Sequence, residues 1–324
     1  MSIRIGWLSV VALSITHAAS ADALIDRDNS PLSGLFGFPD SREGSLLPAS
    51  GDSRWELSAS VSSHSTSDSG GAETLLFDGE TSRIGMTWRR GITRRLELGV
   101  EIPWVLHESG NLDSFIDRWH DIFGLPDGIR DERPNDRLLF RYRDGARLLT
   151  MQRNANGLGD VRLLGGWQLS RGTEGSSAIR FSVKLPTGDS DSLLGSGSAD
   201  VSLGLAGDRS RLMGTERLAG FYRVHATWLG AHKISVRRNH VVVGQVSGGM
   251  SYALTPRSSL TLQALLRSPV YDSDVSPLRD FAASVTMGVR FRLPHDYSLA
   301  LAVGEDIHPH SMPDVTFSMQ LQRR

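Results

Sequence analysis

Residues 156–205 read NGLGDVRLLGGWQLSRGTEGSSAIRFSVKLPTGDSDSLLGSGSADVSLGL. Three segments of this stretch alternate between apolar and polar positions. In the first, Val161, Leu163, Gly165, Trp167 and Leu169 share one face, while Arg162, Gly166 and Gln168 share the other with Leu164. In the second, Ile179, Phe181, Val183 and Leu185 oppose Ala178, Arg180, Ser182 and Lys184. In the third, Val201, Leu203 and Leu205 oppose Asp200, Ser202 and Gly204. A period of two means extended strands with one apolar and one polar face. A short connection followed by a longer one means a meander with its tight turns at one end.

The same pattern extends in both directions. Upstream lie Trp55, Leu57, Ala59 and Val61; then Ile84, Met86 and Trp88; then Leu96, Leu98, Val100 and Ile102. Downstream come Tyr222 to Trp228, Val242 to Met250, Leu260 to Leu266, Phe281 to Phe291, Leu299 to Val303 and Val315 to Leu321. Connections near 91–93, 171–175, 208–217, 254–256 and 294–295 are turns, whereas 62–80, 103–158, 186–198, 230–239, 268–280 and 305–313 are longer and polar. Short turns on one side and long loops on the other mark an outer-membrane barrel, expected here with about twelve strands of roughly nine to thirteen residues. Closure is required because an open sheet edge in lipid leaves backbone groups unpaired. The tryptophans at 55, 88, 104, 167 and 228 fall near strand ends or on apolar faces, where aromatic girdles belong. The expected fold is therefore all-β, a transmembrane antiparallel meander barrel.

Composition agrees. Apolar content of 39% and a mean hydropathy of −0.20, with no run of about 18 apolar residues past the N-terminus, exclude a helical membrane protein but not a barrel, whose polar lumen face hides the lipid face from window averages. A net charge of −1 argues against nucleic acid as a partner. The chain has no cysteine, which excludes disulfides, thiolate metal sites and a cysteine nucleophile. Arg4, an apolar run from Ile5 to Ile15 and the small residues Ala19-Ser20-Ala21 read as a signal peptide over 1–21. The protein is thus expected in the outer membrane of a Gram-negative bacterium. Its expected partners there are outer-membrane lipid and lipopolysaccharide, the barrel-assembly machinery and a small-molecule solute.

Two segments depart from the strand pattern. Residues 22–53 are rich in Gly, Pro and Ser yet carry Leu32, Leu35, Phe36 and Phe38, too apolar for a free linker. They are expected as a plug packed in the barrel or as a periplasmic tail, with the barrel proper over 54–324. Within the insertion at 103–158, Leu112, Phe115, Ile116, Trp119, Ile122 and Phe123 recur at helical spacing opposite Asp113, Asp117, Arg118 and Asp121. Gly124 and Pro126 end this helix, and LLFRYRDGARLLTM then reads as a hairpin turning at Asp144-Gly145. The helix could lie on the outer leaflet, cover the mouth, or pack on its own hairpin.

The segments GLGDVRL, KLPTGD and GSGSADVSLGL resemble proteobacterial outer-membrane barrels associated with aromatic-degradation (meta-pathway) genes. With PLSGLFGFP and FIDRWHDIFGLPDGIR they resemble a related, functionally uncharacterised outer-membrane family. The resemblance covers most of the mature chain and implies a barrel in the outer membrane, with no catalytic residue. One departure is the C-terminus, QLQRR, which leaves Phe317 as the nearest aromatic where such barrels end on one.

If the apolar rows face lipid, the opposite rows face the lumen. They carry Arg54, Glu56, Arg83, Arg89, Arg95, Glu97, Glu101, Arg162, Arg180, Lys184, Arg223, His225, Arg267, Arg290 and Arg292. This excess of cations reads either as a constriction favouring anions or as a filled interior of Arg–Glu pairs. A lipid hydrolase would require His225 beside Ser182 or Ser202 in triad geometry, and no enzyme is expected. Asp189/Asp191, Asp272/Asp274 and His308/His310 are the only metal-like spacings, and the Gly and distal Glu of a calcium loop are missing, so neither metal nor cofactor is expected. Three functions follow: a passive channel or carrier for a small apolar or anionic molecule; a closed barrel acting through its 103–158 loop; and a lipid-modifying enzyme.

Overall fold

The computed structural model describes residues 21–110, 137–308 and 311–323. The signal peptide expected over 1–21 and the loop helix with Leu112, Phe115, Ile116, Trp119 and Phe123 fall almost wholly outside the described residues. Twelve antiparallel strands close into a barrel: β1 (Ser53–Gly70), β2 (Glu73–Gly91), β3 (Leu96–Glu108), β7 (Arg162–Arg171), β8 (Gly175–Lys184), β9 (Asp200–Arg209), β10 (Leu218–Leu229), β11 (Val242–Thr255), β12 (Ser258–Arg267), β13 (Ala282–Arg292), β14 (Tyr297–Asp306) and β15 (Val315–Arg323). The last strand pairs with the first, Trp55 opposite Arg323 and Ser63 opposite Val315, so no edge is left open.

Side chains sort as the period of two requires. Leu163, Trp167, Leu203, Val224, Val246, Leu262, Met287 and Leu301 are exposed around the outside, and Arg162, Arg180, Ser202, Arg223 and Gln263 are buried within. Aromatic residues flank the apolar band. Trp55, Trp167, Tyr252 and Phe291 stand near the short-turn end and Trp104, Trp228 and Phe281 near the other, all exposed. The short-turn end is the periplasmic one by the usual rule for such barrels. Two glycines on the lipid face are covered by rings: a Cβ on Gly165 would lie 2.0 Å from the Phe181 ring, and one on Gly207 2.3 Å from Tyr222.

One connection differs from expectation. Residues 62–80 are not a loop. β1 and β2 stay paired in one register from Ser53/Arg90 to Gly70/Glu73 and turn only at Gly71-Ala72, with Gly71 at φ +56°. Ser, Thr and Gly dilute the apolar alternation there, yet the ladder needs only backbone. This protruding ribbon is widened by the hairpin predicted near Asp144, made of β4 (Leu139–Asp144) and β5 (Arg147–Met151), which pairs with β2 from Glu73 to Asp78. A short strand, β6 (Ala155–Leu158), continues the sheet beside β3.

Residues 22–52 enter the barrel from the periplasmic end, rise along the wall, turn at a 3₁₀ turn over Ser33–Leu35, and descend to Gly51, whose N–H donates to the Gly91 carbonyl at 2.8 Å. The interior consequently has two parts. Around the turn, Leu32, Leu35, Phe36 and Phe38 join Phe77, Phe140, Tyr142, Leu193, Ile234, Val236, Val270, Tyr271, Val275 and Leu278 in one apolar cluster, contributed by the outer loops and the ribbon. Below it the lumen is polar.

Candidate functional site

The polar lumen is built wall to hairpin. On the rising limb, Arg290 donates to the Ala23 carbonyl at 2.8 Å. Gln263 brackets Leu24, accepting from its N–H at 2.8 Å and donating to its carbonyl at 3.2 Å. Arg27 meets Glu101 at 2.8 Å, Arg267 meets Asp28 at 2.5 Å, and Asn29 donates to Ser60 and Ser62. On the descending limb, Gln245 donates to the Pro39 carbonyl, Arg223 to the Ser41 carbonyl, and Gln168 to the Ser45 carbonyl while accepting from the Leu47 N–H. Three wall glutamines thus pair with hairpin backbone, supplying the partners that backbone groups away from water require. Of the three, only Gln168 is marked in the sequence, on the polar face of its strand.

The charges interlock in the same way. Arg162 contacts Glu43 of the hairpin at 2.8 Å and Glu101 of the wall at 3.0 Å. Glu97 is held by Arg89 and Arg180, Arg42 by Asp40 and Glu56, and Asp208 by Arg223. Arg83 lies 3.8 Å from Glu101. Lys184 contacts Asp160 at 2.5 Å and Asp200 at 3.2 Å.

This last cluster explains the turn-like motifs. Asp160 of GLGD also accepts the N–H groups of Gly188, in LPTGD, and Ser196, in GSGS. Thr187 donates to the Gly159 carbonyl and accepts from the Val161 N–H. Asp200 accepts from Gly37, the residue just past the hairpin turn, at 2.8 Å. A Cβ on Gly37 would lie 2.9 Å from the Lys184 Cβ, so only glycine lets the hairpin lie this close to the wall. The motif residues therefore fasten the outer ends of β7, β8 and β9 to the hairpin.

Of the lumen residues expected from sequence, Glu97, Arg162, Arg180, Lys184, Arg223, His225 and Arg290 are buried inside, and Arg83 is partly buried beside them. Arg292 opens onto a periplasmic vestibule. Arg95 is exposed in the turn between β2 and β3, outside the lumen. Sequence reasoning missed the counter-charges Asp28, Asp40, Glu43, Asp160 and Asp208. The signal that could have found them is the net charge of −1, which requires a row of cations to be balanced somewhere.

Other candidates take structural roles. His225 lies flat over Gly204, where a Cβ would be 2.2 Å from its Nδ1. Ser182 accepts from Arg162, and Ser202 accepts from Thr227 and donates to the Ala226 carbonyl, so neither serine is hydrogen-bonded to His225. Asp189 caps its own loop by accepting from the Asp191 N–H and the Ser192 hydroxyl, which holds its carboxyl below the ordinary range. Asp274 pairs with Arg237, which also bridges Glu73 and Asp144 across the outer loops. Hydrogen bonding to Asp144 raises the Arg237 pKa above its ordinary value.

A closed antiparallel barrel of twelve strands with a lipid-facing apolar band has the fold of an outer-membrane β-barrel. The chain belongs to the family described as a protein of unknown function (DUF3187), whose model matches residues 6–324. No curated protein matches it. Among solved structures, it is similar to the COG4313 outer membrane channel from Pseudomonas putida F1, at 14% identity and a TM-score of 0.58, over 87% of this chain and 97% of that one. Looser likenesses are to the KdgM porin (8% identity, TM-score 0.43, 84% and 98% covered) and to the P. putida toluene transporter TodX (11%, 0.40, 86% and 91%).

Proposed function

We propose that this protein is an outer-membrane channel for a small anionic solute, held shut at rest by its own N-terminal hairpin. The observation that carries the reading is charge complementarity between a wall and an insert that no disulfide joins. In the ion-pair network and vestibule the wall contributes Arg54, Arg83, Arg89, Arg162, Arg180, Lys184, Arg223, Arg267, Arg290 and Arg292 against Glu56, Glu97, Glu101, Asp160, Asp200 and Asp208, ten cations to six carboxylates. The hairpin between 22 and 48 carries Asp22, Asp26, Asp28, Asp40 and Glu43 against Arg27 and Arg42, a net charge of −3. A permanent seal has no need of charge, because well-packed apolar side chains are as stable as buried ion pairs or more so. An ionic contact surface can exchange its partner for water and solute when the insert moves, and would then present a cationic path, which favours anions.

The apolar cluster under the outer loops favours a second reading, in which the carried molecule is apolar and enters there. In either case the surrounding lipid and lipopolysaccharide are passive partners, and no catalytic role is assigned.

The Ser41 and Ser247 hydroxyls lie 2.5 Å apart across the hairpin–wall contact, and the chain has no cysteine, so S41C/S247C forms a single clean lock. In a planar bilayer under a salt gradient, the reduced double variant is expected to show anion-selective openings that oxidation abolishes. Equal conductance of locked and reduced protein would remove the hairpin as the closure. Silence of folded wild type and reduced variant alike would leave a closed barrel acting through its outer loop.

A further inference from the structure

Three wall guanidinium groups converge on Glu43 of the hairpin. Its Oε1 lies 2.8 Å from Arg162 and 4.0 Å from Arg89, and its Oε2 lies 4.0 Å from Arg180. All three are engaged elsewhere as well, Arg162 by Glu101 and the other two by Glu97, but Glu43 is the carboxylate that all three share. Only the Arg162 contact is short enough to be a hydrogen bond. The Nε atoms of Arg162 and Arg180 are buried with no hydrogen-bond partner among the described residues. The same holds for both ring nitrogens of His225, which is 4% exposed and within electrostatic reach of Glu43. The arrangement is built into the wall. Glu97, Gly166, Arg180, Gly204 and His225 stand opposite one another on five successive strands. The two glycines are its floor: a Cβ would lie 2.4 Å from the Arg180 guanidinium at Gly166 and 2.2 Å from the His225 ring at Gly204. Glu43, Arg89 and Arg162 also line a 30 Å³ cavity, about one water in size, so a shorter side chain at 43 enlarges a space that already exists. The wall thus offers more donors than one tethered carboxylate uses.

We infer that this belt is the recognition site for the carboxylate of a small organic acid, and that Glu43 occupies it in the closed protein as a tethered stand-in. A free carboxylate, not held by the hairpin backbone, can seat both oxygens on the planar donor arrays of Arg162 and Arg180. Hairpin and solute then compete for the same guanidinium groups, so solute binding favours release of the hairpin. Glu43 belongs to the same chain and competes at an effective concentration of about millimolar or higher. The inference rests on the channel reading above and adds the class of the solute and the point at which the wall reads it.

Glu43→Ala removes a fragment the size of acetate, and acetamide is the neutral isostere of that fragment. Both are titrated by saturation-transfer NMR onto full-length E43A and wild type folded in a zwitterionic detergent. Acetate is expected to bind E43A about tenfold or more tightly than acetamide does, the scale of charge-assisted hydrogen bonds. It is expected to bind wild type about tenfold or more weakly than E43A, because there it must displace Glu43. Adding Arg162→Gln, with Glu101 keeping Arg27 and Arg83 as partners, is expected to abolish the preference for acetate. If E43A folds poorly, the comparison is read as refolding yield, which acetate and not acetamide is expected to restore. Equal binding of acetate and acetamide, equal binding of acetate to wild type and E43A, a preference unmoved by Arg162→Gln, or neither binding nor rescue by acetate up to about 100 mM would each overturn the assignment. A failed hairpin lock with acetate binding to E43A intact would remove the gate and leave this site. Gated anion conduction without acetate binding to E43A would do the reverse.

Discussion

The waist of the barrel and its outer cap hold the same hairpin by different physics. At the waist, Arg162, Arg223 and Arg267 grip carboxylates and a carbonyl of the hairpin directly, and above them Lys184 acts through Asp200, which accepts from the Gly37 N–H. At the cap, Leu32, Phe36 and Phe38 sink into an apolar cluster built from the outer loops. The ionic waist is specific in register and replaceable by water; the cap is indifferent to register and costly to hydrate. A hairpin fastened this way slides out only if the cap lets go, while the waist determines where it returns.

The largest effect expected from testing this contrast is at Lys184, the one ammonium shared by Asp160 and Asp200. Lys184→Met leaves two buried carboxylates facing each other and is expected to destabilise the barrel by about 3–5 kcal/mol, read from urea-induced unfolding in lipid vesicles. Adding Asp200→Asn is expected to recover part of that loss. A cost under about 1 kcal/mol, typical of exposed pairs, would mean the waist is already wet, and the distinction between waist and cap would collapse.

Next in size is Phe36, which contacts Phe38, His232 and Tyr271 with centroid distances of 6.1, 6.3 and 5.8 Å. Phe36→Ala is expected to cost about 3 kcal/mol, the lower end for a buried Phe because loops can partly fill the gap. The loss should fall on the cap, so the variant is expected to open more often in a bilayer while global unfolding changes less. If it instead unfolds like the Lys184 variant, cap and waist form one cooperative unit.

These contrasts were unevenly legible in the sequence. The barrel could be read because a period of two survives wherever one face meets lipid, as in Ile179 to Leu185. It was lost between 62 and 80, where Ser and Thr occupy both faces of a ribbon that leaves the membrane. The lumen cations were legible as the polar row, but their partners were not. Glu43 reaches Arg162 across 119 residues and Asp28 reaches Arg267 across 239, and no spacing rule links such pairs. The apolar residues of 32–38 announced burial without saying against what, since their neighbours come from at least four different loops. Arg95 was misplaced by one turn because strand ends are where alternation stops carrying information.

The smallest expected effect sharpens the picture of the cap through pH. His232 packs edge-on against Phe36 and Tyr271, with ring centroids 6.3 and 5.6 Å away, and its Nε2–H donates to the Arg237 carbonyl at 2.8 Å. Burial, more than the charge of Arg147, pushes its pKa below the ordinary value of about 6.5. The closed cap therefore holds His232 neutral, while a released loop lets it titrate normally. Below about 6.5 the released state binds more protons, so the cap is at full strength above that pH and weakens as pH falls through it. Opening frequency is expected to rise between about pH 7.5 and 5.5, across the range where histidine changes charge, and His232→Gln is expected to flatten that rise. Any pH dependence that persists in the variant would fall to the other histidines under the cap, His64 and His107, which share the Thr81 hydroxyl at 3.0 Å each and both pack on Phe140. In that pair the His107 Nε2–H donates to the Leu193 carbonyl, so neutral His107 must accept from Thr81 through Nδ1, and Thr81 from His64. Protonating His107 reverses the first of these bonds, which would shift the acid-sensitive element from the loops to the ribbon.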